Sequence, residues 1–484
     1  MRLDQGDPSM TTVYTRAGLI ERATMLEVDE ASWLQLEPRA GETLRGALER
    51  ILRDAILSGA LREGVKLPPS RTLAREFGVS RGVVTDAYEQ LEAQGFLLTR
   101  PRAATLVAPI ARRDTDPRQQ EPPDATPRYD FTPTTPDVSI FPLSHWLGAA
   151  QQVARQVPSA TLGYGEPQGE GALREALADH LGRTRGVIAD PEQLLIVQGT
   201  AQGVDVILRV LLTRGAWRFA VEDPSHTAQH QRIRALGFQL LAQPVDDDGL
   251  VLTDLDADAV LVTPAHQFPT GCVLSGERRR ELLAWSRETD GLIVEDDYDS
   301  EFRYDREPVR TLQGLAPEHV VHIGTVSKTL VPALRLGWLV VPPSLIEEAR
   351  RAKWLLDDFS PALDQLTLAE LLRRGHYDRH LRRARKIYRA RRDRLIAALE
   401  AWLPELTIEG VAAGVHLLLR LPAGVDDGAV AEAARRARIA VSPLSSFQLT
   451  PAAVGGLVIG YGSLPESAID EATRALAEIV RNQI

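Results

Sequence analysis

Leu292-Ile293-Val294-Glu295-Asp296-Asp297-Tyr298 sets three apolar residues directly before three carboxylates and a phenol. A short apolar run reads as a buried strand, so the acidic group stands at the strand's C-terminal end. Ligand sites in open α/β sheets are built at that end. The flanking sequence repeats the arrangement. Leu194-Leu195-Ile196-Val197 precedes a helical stretch over 200–213, Phe219-Ala220-Val221 one near 226–236, and Val260-Leu261-Val262 one over 276–287, with Val320-Val321-His322-Ile323 following. Strands alternating with amphipathic helices predict an α/β domain with a mostly parallel sheet. From about 345 the pattern turns mainly helical, with strands at His416–Leu421 and Leu457–Gly460, and predicts a smaller terminal subdomain.

Lysine is scarce: only Lys66, Lys328, Lys353 and Lys386 occur. Lys353 and Lys386 lie in arginine-rich helical stretches, where a solvated surface position is expected. Lys328 differs, because it sits in Gly324-Thr325-Val326-Ser327-Lys328-Thr329-Leu330, just after an apolar strand and among hydroxyls. A partly desolvated lysine amine can form a Schiff base with an aldehyde. A carboxylate at 295–297 can pair with a pyridinium nitrogen, and the Tyr298 phenol can reach a ring oxygen. Gly199-Thr200-Ala201-Gln202 opens a helix after a strand, which offers a phosphate site at the helix N-terminus. Each segment also has a plainer reading: acidic strand ends make metal or salt-bridge sites, and Gly-Thr at a helix start serves as a cap.

Working outward, residues 109–128 carry prolines at 109, 117, 122, 123 and 127 with many charges and almost nothing large and apolar, the composition of a semi-extended linker. Before it, residues 43–58 place Leu44, Leu48, Ile51, Leu52, Ala55 and Ile56 at helical spacing, ended by Gly59. Two further helices are predicted over 70–77 and 81–94, capped by Ser70 and Ser80, with Gly78-Val79-Ser80 between them and a small hairpin over 96–107. Val84, Ala87, Tyr88 and Leu91 form the buried stripe of the second helix. This is a helix-turn-helix arrangement, whose second helix enters the DNA major groove. Arg81 and Thr85 are then the candidate base readers, and Arg71 and Ser80 the candidate phosphate contacts. A small helical packing domain without a nucleic-acid role fits the periodicity equally well. The chain therefore divides into an extension over 1–38, a DNA-binding domain over 39–108, a linker over 109–128 and an α/β domain over 129–484. The extension reads as disordered or spurious, with Met10 and Met25 as further candidate starts.

The 484 residues carry a formal net charge of −10. Residues 39–108 hold 11 Lys+Arg against 8 Asp+Glu, so a mildly basic module is joined to an acidic body. One cysteine, Cys272, excludes an intrachain disulfide and fits a reducing cytosol. No apolar run is long enough to cross a bilayer and no signal core is present, so a cytoplasmic protein without membrane contact is expected. No metal ligand set is assigned.

The literal sequence adds a resemblance. Ile56-Leu57-Ser58-Gly59, Leu67-Pro68-Pro69-Ser70-Arg71, Leu73-Ala74, Gly78-Val79-Ser80-Arg81, Ala87-Tyr88, Leu91 and Gly95-Phe96 resemble the GntR family over nearly all of 44–100. Where that family's wing usually has a Gly-Ser-Gly tip, this chain has Arg100-Pro101-Arg102-Ala103-Ala104-Thr105, whose arginines remain able to meet phosphates. Residues 129–484 resemble the aminotransferase-like domain of the MocR subfamily of GntR regulators. The marks are Tyr164-Gly165-Glu166-Pro167-Gln168-Gly169, Ala172-Leu173-Arg174, Glu222-Asp223-Pro224, Thr263-Pro264-Ala265-His266-Gln267-Phe268-Pro269-Thr270-Gly271, 295–304 and Ser327-Lys328 with Arg335 and Gly337. The resemblance implies an α+β winged helix-turn-helix domain followed by a fold-type I aminotransferase domain that binds pyridoxal 5'-phosphate. It implies Lys328 as the Schiff-base lysine, Asp296 on the pyridine nitrogen and Tyr298 on the ring hydroxyl. It assigns the phosphate to Gly199, Thr200, Ser327 and Arg335, with Tyr164 reaching the phosphate of a partner subunit. His226 stands where the family more often has a ring-stacking tyrosine.

Two departures bear on activity. Similar aminotransferases carry an arginine for the substrate carboxylate in the C-terminal strand, and Val458 takes its place within Leu457-Val458-Ile459-Gly460-Tyr461. They also carry an asparagine before Pro-Thr-Gly, and here that residue is Phe268. Valine cannot grip a carboxylate. The expected function is a homodimeric transcription regulator that binds operator DNA and senses pyridoxal phosphate or an amino compound. The alternative is a working aminotransferase with an appended DNA-binding domain.

Overall fold

A computed structural model describes residues 36, 38–99, 104–109, 126–253, 255–304, 309–451 and 454–484. The chain divides into two compact units, residues 1–122 and 123–484. The extension before 36, the wing-tip residues Arg100 and Arg102 and the stretch 110–125 lie outside the described residues.

In the first unit Thr43 caps helix α1 (Leu44–Ser58) by accepting from Gly46 N, and Gly59 closes it in the left-handed conformation at φ 85°. Helices α2 (Ser70–Glu76) and α3 (Arg81–Ala93) follow, then a hairpin of β1 (Leu97–Leu98) and β2 (Leu106–Val107). The stripe Val84, Ala87, Tyr88 and Leu91 is buried against Leu48, Leu52 and Ile56 of α1 and Leu73 of α2. Each such aliphatic side chain contributes about 1.5–3 kcal/mol on burial. Ser80 caps α3 as expected. Ser70 does not cap α2. Pro69 precedes the helix and its carbonyl accepts from Thr72 and Leu73, leaving the Ser70 hydroxyl to accept from Arg81 Nε at 3.3 Å.

The second unit begins with β3 (Tyr129–Asp130), α4 (Leu143–Gln156) and α5 (Gly171–Arg185). Then come β4 (Leu194–Val197), α6 (Thr200–Thr213), β5 (Arg218–Asp223), α7 (Thr227–Ala235), β6 (Gln239–Asp246), β7 (Gly249–Leu250), β8 (Ala259–Val262), α8 (Gly276–Thr289), β9 (Leu292–Asp297), β10 (Val320–Thr325) and β11 (Gly337–Val340). These eight strands form one sheet in the order β4-β11-β10-β9-β8-β5-β6-β7. Its centre, from β10 through β9, β8 and β5 to β6, is parallel. The flanks are antiparallel: β11 runs against both β10 and β4, and β7 against β6. The short link 326–336 holds no crossover helix, so β11 must return against β10. Leu195 and Val197 of β4 face α6 while Leu194 and Ile196 face α5 and α10, so the sheet is covered on both faces and its strands read as continuous apolar runs.

The C-terminal part adds α9 (Ile346–Asp357), α10 (Ala362–Arg373) and α11 (His376–Trp402). After them come β12 (Ile408–Glu409), β13 (His416–Arg420), α12 (Asp427–Arg436), β14 (Ile439–Ala440), β15 (Ser442–Pro443), β16 (Gly456–Gly460) and α13 (Ile469–Arg481). A second sheet runs β12-β13-β16-β15, and β14 pairs with β3, which ties the start of this unit to its end. Residues at the end of the expected linker belong to this unit, since Arg128 N donates to Arg438 O and Arg438 donates to Thr126 O. Lys353 corrects an expectation. It is fully buried on α9, its amine 2.7 Å from Asp357 and 2.9 Å from Ser360 Oγ, because it falls on the face packed inward rather than on the solvated one.

Candidate functional site

Because β4, β5, β8, β9 and β10 run in one direction, their C-terminal ends meet along one edge of the sheet. That edge gathers Thr200, Glu222, Thr263, Asp296, Thr325, Ser327 and Lys328 around a cavity of about 300 Å³, which Tyr298, His226 and Arg335 also line. Side chains alternate along a strand, which divides the acidic end of β9. Glu295 turns inward and accepts from the backbone N–H groups of Leu312 and Gln313 at 2.8 and 3.1 Å. Asp297 holds Arg185 through two bonds of 2.9 and 3.1 Å. Asp296, between them, faces the cavity. Its Oδ1 is sheltered from solvent and has no hydrogen-bond partner among the described residues. Burial, and then the charge of Asp297, push this carboxyl up to about 7. Burial also lowers the pKa of the Lys328 amine, opposed by Asp299 and Asp296.

The far end of the cavity is built from backbone. Gly199, at φ 80°, turns the chain from β4 into α6, a conformation that side-chain-bearing residues rarely adopt. The free N–H groups of the first turn of α6 then point at the cavity, a ready site for an anion. Arg335, itself left-handed at φ 51°, donates to Gln198 O at 2.7 Å and lies within 3.6 Å of where a Cβ on Gly199 would stand. Ser327 N donates to Thr325 Oγ1 at 3.1 Å. Lys353 supports the same helix start, because its partner Asp357 also accepts from Gln198 Nε2 and Gln202 Nε2 at 3.1 and 2.9 Å.

On the cavity wall, the Tyr298 hydroxyl donates to His266 O at 3.1 Å and stands 3.2 Å from His266 Nδ1. His266 Nδ1 is 2.9 Å from Asp299, and His416 lies beside it with ring centroids 4.8 Å apart. These three buried residues bring potential ligand atoms within 4.8 Å of one another. The sequence reading did not single out Asp299 or His416. Their partners lie far along the chain, and the only signal was the acidic run itself. His226 caps α7 by accepting from Ala228 N at 3.3 Å, and its ring lies 5.5 Å from that of Phe268. Tyr164 is not brought into this cavity. It is 95% exposed, its edge against Phe359.

In the first unit, Arg71, Ser80 and Arg81 are exposed and Thr85 is half-buried, the last two on the face of α3 opposite its buried stripe. Thr85 Oγ1 donates back to Arg81 O at 3.0 Å, leaving the arginine beyond its hydrogen bond to Ser70 free to reach outward.

Sequence comparison agrees with this division. Residues 44–107 match the model of bacterial regulatory proteins of the gntR family, and residues 134–476 match that of aminotransferase class I and II. The chain is 32% identical to the probable rhizopine catabolism regulatory protein MocR of Rhizobium meliloti, over 92% of this chain and 95% of that one. It is also 32% identical to the pyridoxine biosynthesis transcriptional regulator PdxR of Corynebacterium glutamicum, over 90% and 96%. It belongs to the MocR subfamily of GntR regulators. The second unit superposes on the kynurenine aminotransferase of Pyrococcus horikoshii with a TM-score of 0.68 at 26% identity, covering 73% of this chain and 91% of that one.

This MocR-type regulator binds DNA through its winged helix-turn-helix and pyridoxal phosphate through its aminotransferase fold. The residues present fit the cofactor: an orphaned buried carboxylate oxygen on Asp296, a desolvated lysine and an anion-ready helix start surround one cavity. The outer mouth of the site does not resemble a carboxylate clamp. Val458 is fully buried with Leu418 and Leu444, packed against Phe447. Phe268 and Phe447 in turn line the mouth with Thr132–Pro136, and among the described residues no arginine lines it.

Proposed function

We propose that this regulator responds to pyridoxal phosphate itself and does not turn over amino acids. The observation that carries this reading is the apolar packing of Val458, which stands in the sequence where similar aminotransferases carry the arginine for the substrate carboxylate. Without that arginine an amino acid lacks the bidentate contact that would orient its Cα–H bond over the lysine. When bound, the cofactor supplies an aldehyde and a basic ring nitrogen. Lys328 would offer the amine for that aldehyde. Asp296 would supply the negative charge that keeps a proton on the ring nitrogen, and the Tyr298 hydroxyl, which donates to His266 O, would turn from that carbonyl to donate to the ring oxygen. Thr200, Ser327 and Arg335 would hold the phosphate with the turn at Gly199, and His226 would cover the ring. One similar protein is named a pyridoxine biosynthesis transcriptional regulator, a role in the metabolism of this cofactor's vitamin.

The protein acts as a cytoplasmic homodimer. Exposed apolar side chains at Leu162, Tyr164, Trp354 and Leu355 support a partner surface, and Tyr164 would reach the partner's cofactor phosphate. Arg81 and Thr85 read bases, and Arg71 and Ser80 contact phosphates. Paired modules would favour half-sites spaced by whole helical turns, roughly 34–36 Å or multiples. The test is an absorbance scan of purified protein before and after each common amino acid. A visible cofactor band that no amino acid moves is expected. Conversion of the band with release of a keto acid would overturn the reading in favour of a working aminotransferase.

A further inference from the structure

A second cavity, of about 160 Å³, lies between α5 and α11, apart from the cofactor cavity and sharing no lining residue with it. At about 30 Å³ per water it has room for one small polyatomic ion with its solvent. Four arginines line it, Arg183, Arg185, Arg382 and Arg385, against two carboxyls, Asp378 and Glu301. Asp378 is engaged by Arg183 at 3.0 Å. Glu301, pushed up to about 7 by burial and by Asp297, is partly protonated at neutral pH and able to donate. Arg185 is 3% exposed and spends Nε and Nη2 on Asp297, while its Nη1 is buried without a partner among the described residues. An unsatisfied guanidinium N–H in such a site is costly unless an acceptor reaches it. A planar or tetrahedral oxyanion is the acceptor that arginine forks match.

We propose that this cavity binds a small oxyanion, and that its occupancy is felt at the cofactor through Arg185 and Asp297. The coupling follows from the chain: Asp297 neighbours Asp296, and the Asp297 charge is the largest charge influence on the Asp296 carboxyl. An anion on Arg185 draws positive charge away from Asp297, strengthens its field on Asp296 and so shifts the protonation equilibrium of the bound cofactor. The anion-binding half stands without the cofactor reading. The coupling half rests on Asp296 facing the cofactor.

The test uses the full chain carrying its cofactor, at constant ionic strength set with chloride. Inorganic phosphate is titrated by calorimetry, with sulfate and acetate as separate arms to distinguish phosphoryl from carboxylate ligands. The pH midpoint of the visible band is followed in parallel. Saturable binding of at least one of the three is expected. Arg382→Ala and Arg385→Ala should each weaken it about tenfold, as loss of a charge-assisted hydrogen bond does. Arg389→Ala, which removes an exposed charge of the same helix outside the cavity, should leave it unchanged. No saturable heat with any arm, or equal weakening by Arg389→Ala, would overturn the site. Saturable heat with an unmoved band midpoint would overturn the coupling.

Discussion

Replacing Asp296 with Asn should stabilise the cofactor-free protein at pH 8 while weakening its hold on the cofactor. The carboxyl rises from 3.8 to about 7 on folding, burial first and Asp297 second. At about 1.36 kcal/mol per pH unit, the ionised group destabilises the empty fold by about 4 kcal/mol. The sign follows from the folded state binding the proton more tightly. The penalty is fully present above pH 7, fades as pH falls through 7 towards 3.8, and vanishes below that. Asn carries no charge and escapes it. In the loaded protein the carboxylate would pair with a cationic ring nitrogen, and removing one member of such a buried pair costs about 3–5 kcal/mol. The assay is urea unfolding of the second unit of stripped wild type and Asp296→Asn at pH 5.5 and 8, beside cofactor titration of both. Glu222 and Glu301 are also pushed up to about 7, so wild type keeps part of its pH slope, and the difference between the two proteins isolates Asp296. A variant no more stable than wild type at pH 8, or one binding cofactor equally well, would refute the reasoning.

Lys328→Ala should abolish borohydride-fixed cofactor label, read by peptide mass, because the other three lysines lie outside the cavity. Arg81→Ala should cost roughly 1–3 kcal/mol at a cognate operator and relax its base preference, measured by titrating matched and mutated sites. Arg71→Ala should instead weaken binding on all sequences and flatten its salt dependence. Gly414→Ala should destabilise the second unit by about 2–4 kcal/mol in urea, since a Cβ there collides with the His266 ring and the Asp299 carboxylate at a backbone φ of +65°.

Much of this fold was legible because its signals are local. Runs of three or four mostly apolar residues marked β4, β5, β8, β9 and β10, and Gly199 marked where the first of them gives way to its helix. Neither β11 nor its direction was legible, since the four residues Gly337–Val340 carry no turn or helix signal that fixes how they pair. Burial of Lys353 was hidden for a related reason: its helix is rich in charge, and only the packed fold puts Asp357 and Ser360 around that one amine. Side-chain networks were the least legible part. Arg185 and Asp297 are 112 residues apart, and His266 meets Asp299 across 33, so no spacing rule joins them. The site residues of the cofactor cavity were accessible because their motifs are short and sit at strand ends, whereas the four-arginine cavity combines two helices with no motif in common.

The central claim is that the cofactor cavity reports to the DNA-binding module. Operator affinity, measured at fixed salt with and without pyridoxal phosphate on wild type and on Lys328→Ala, tests it most directly. A ligand shifts an equilibrium only by its differential affinity for the two arrangements. The account predicts a change of about 5–150-fold for wild type, the usual range of such coupling, and none for the variant. Equal affinities in all four measurements would contradict it and leave the second unit as a scaffold.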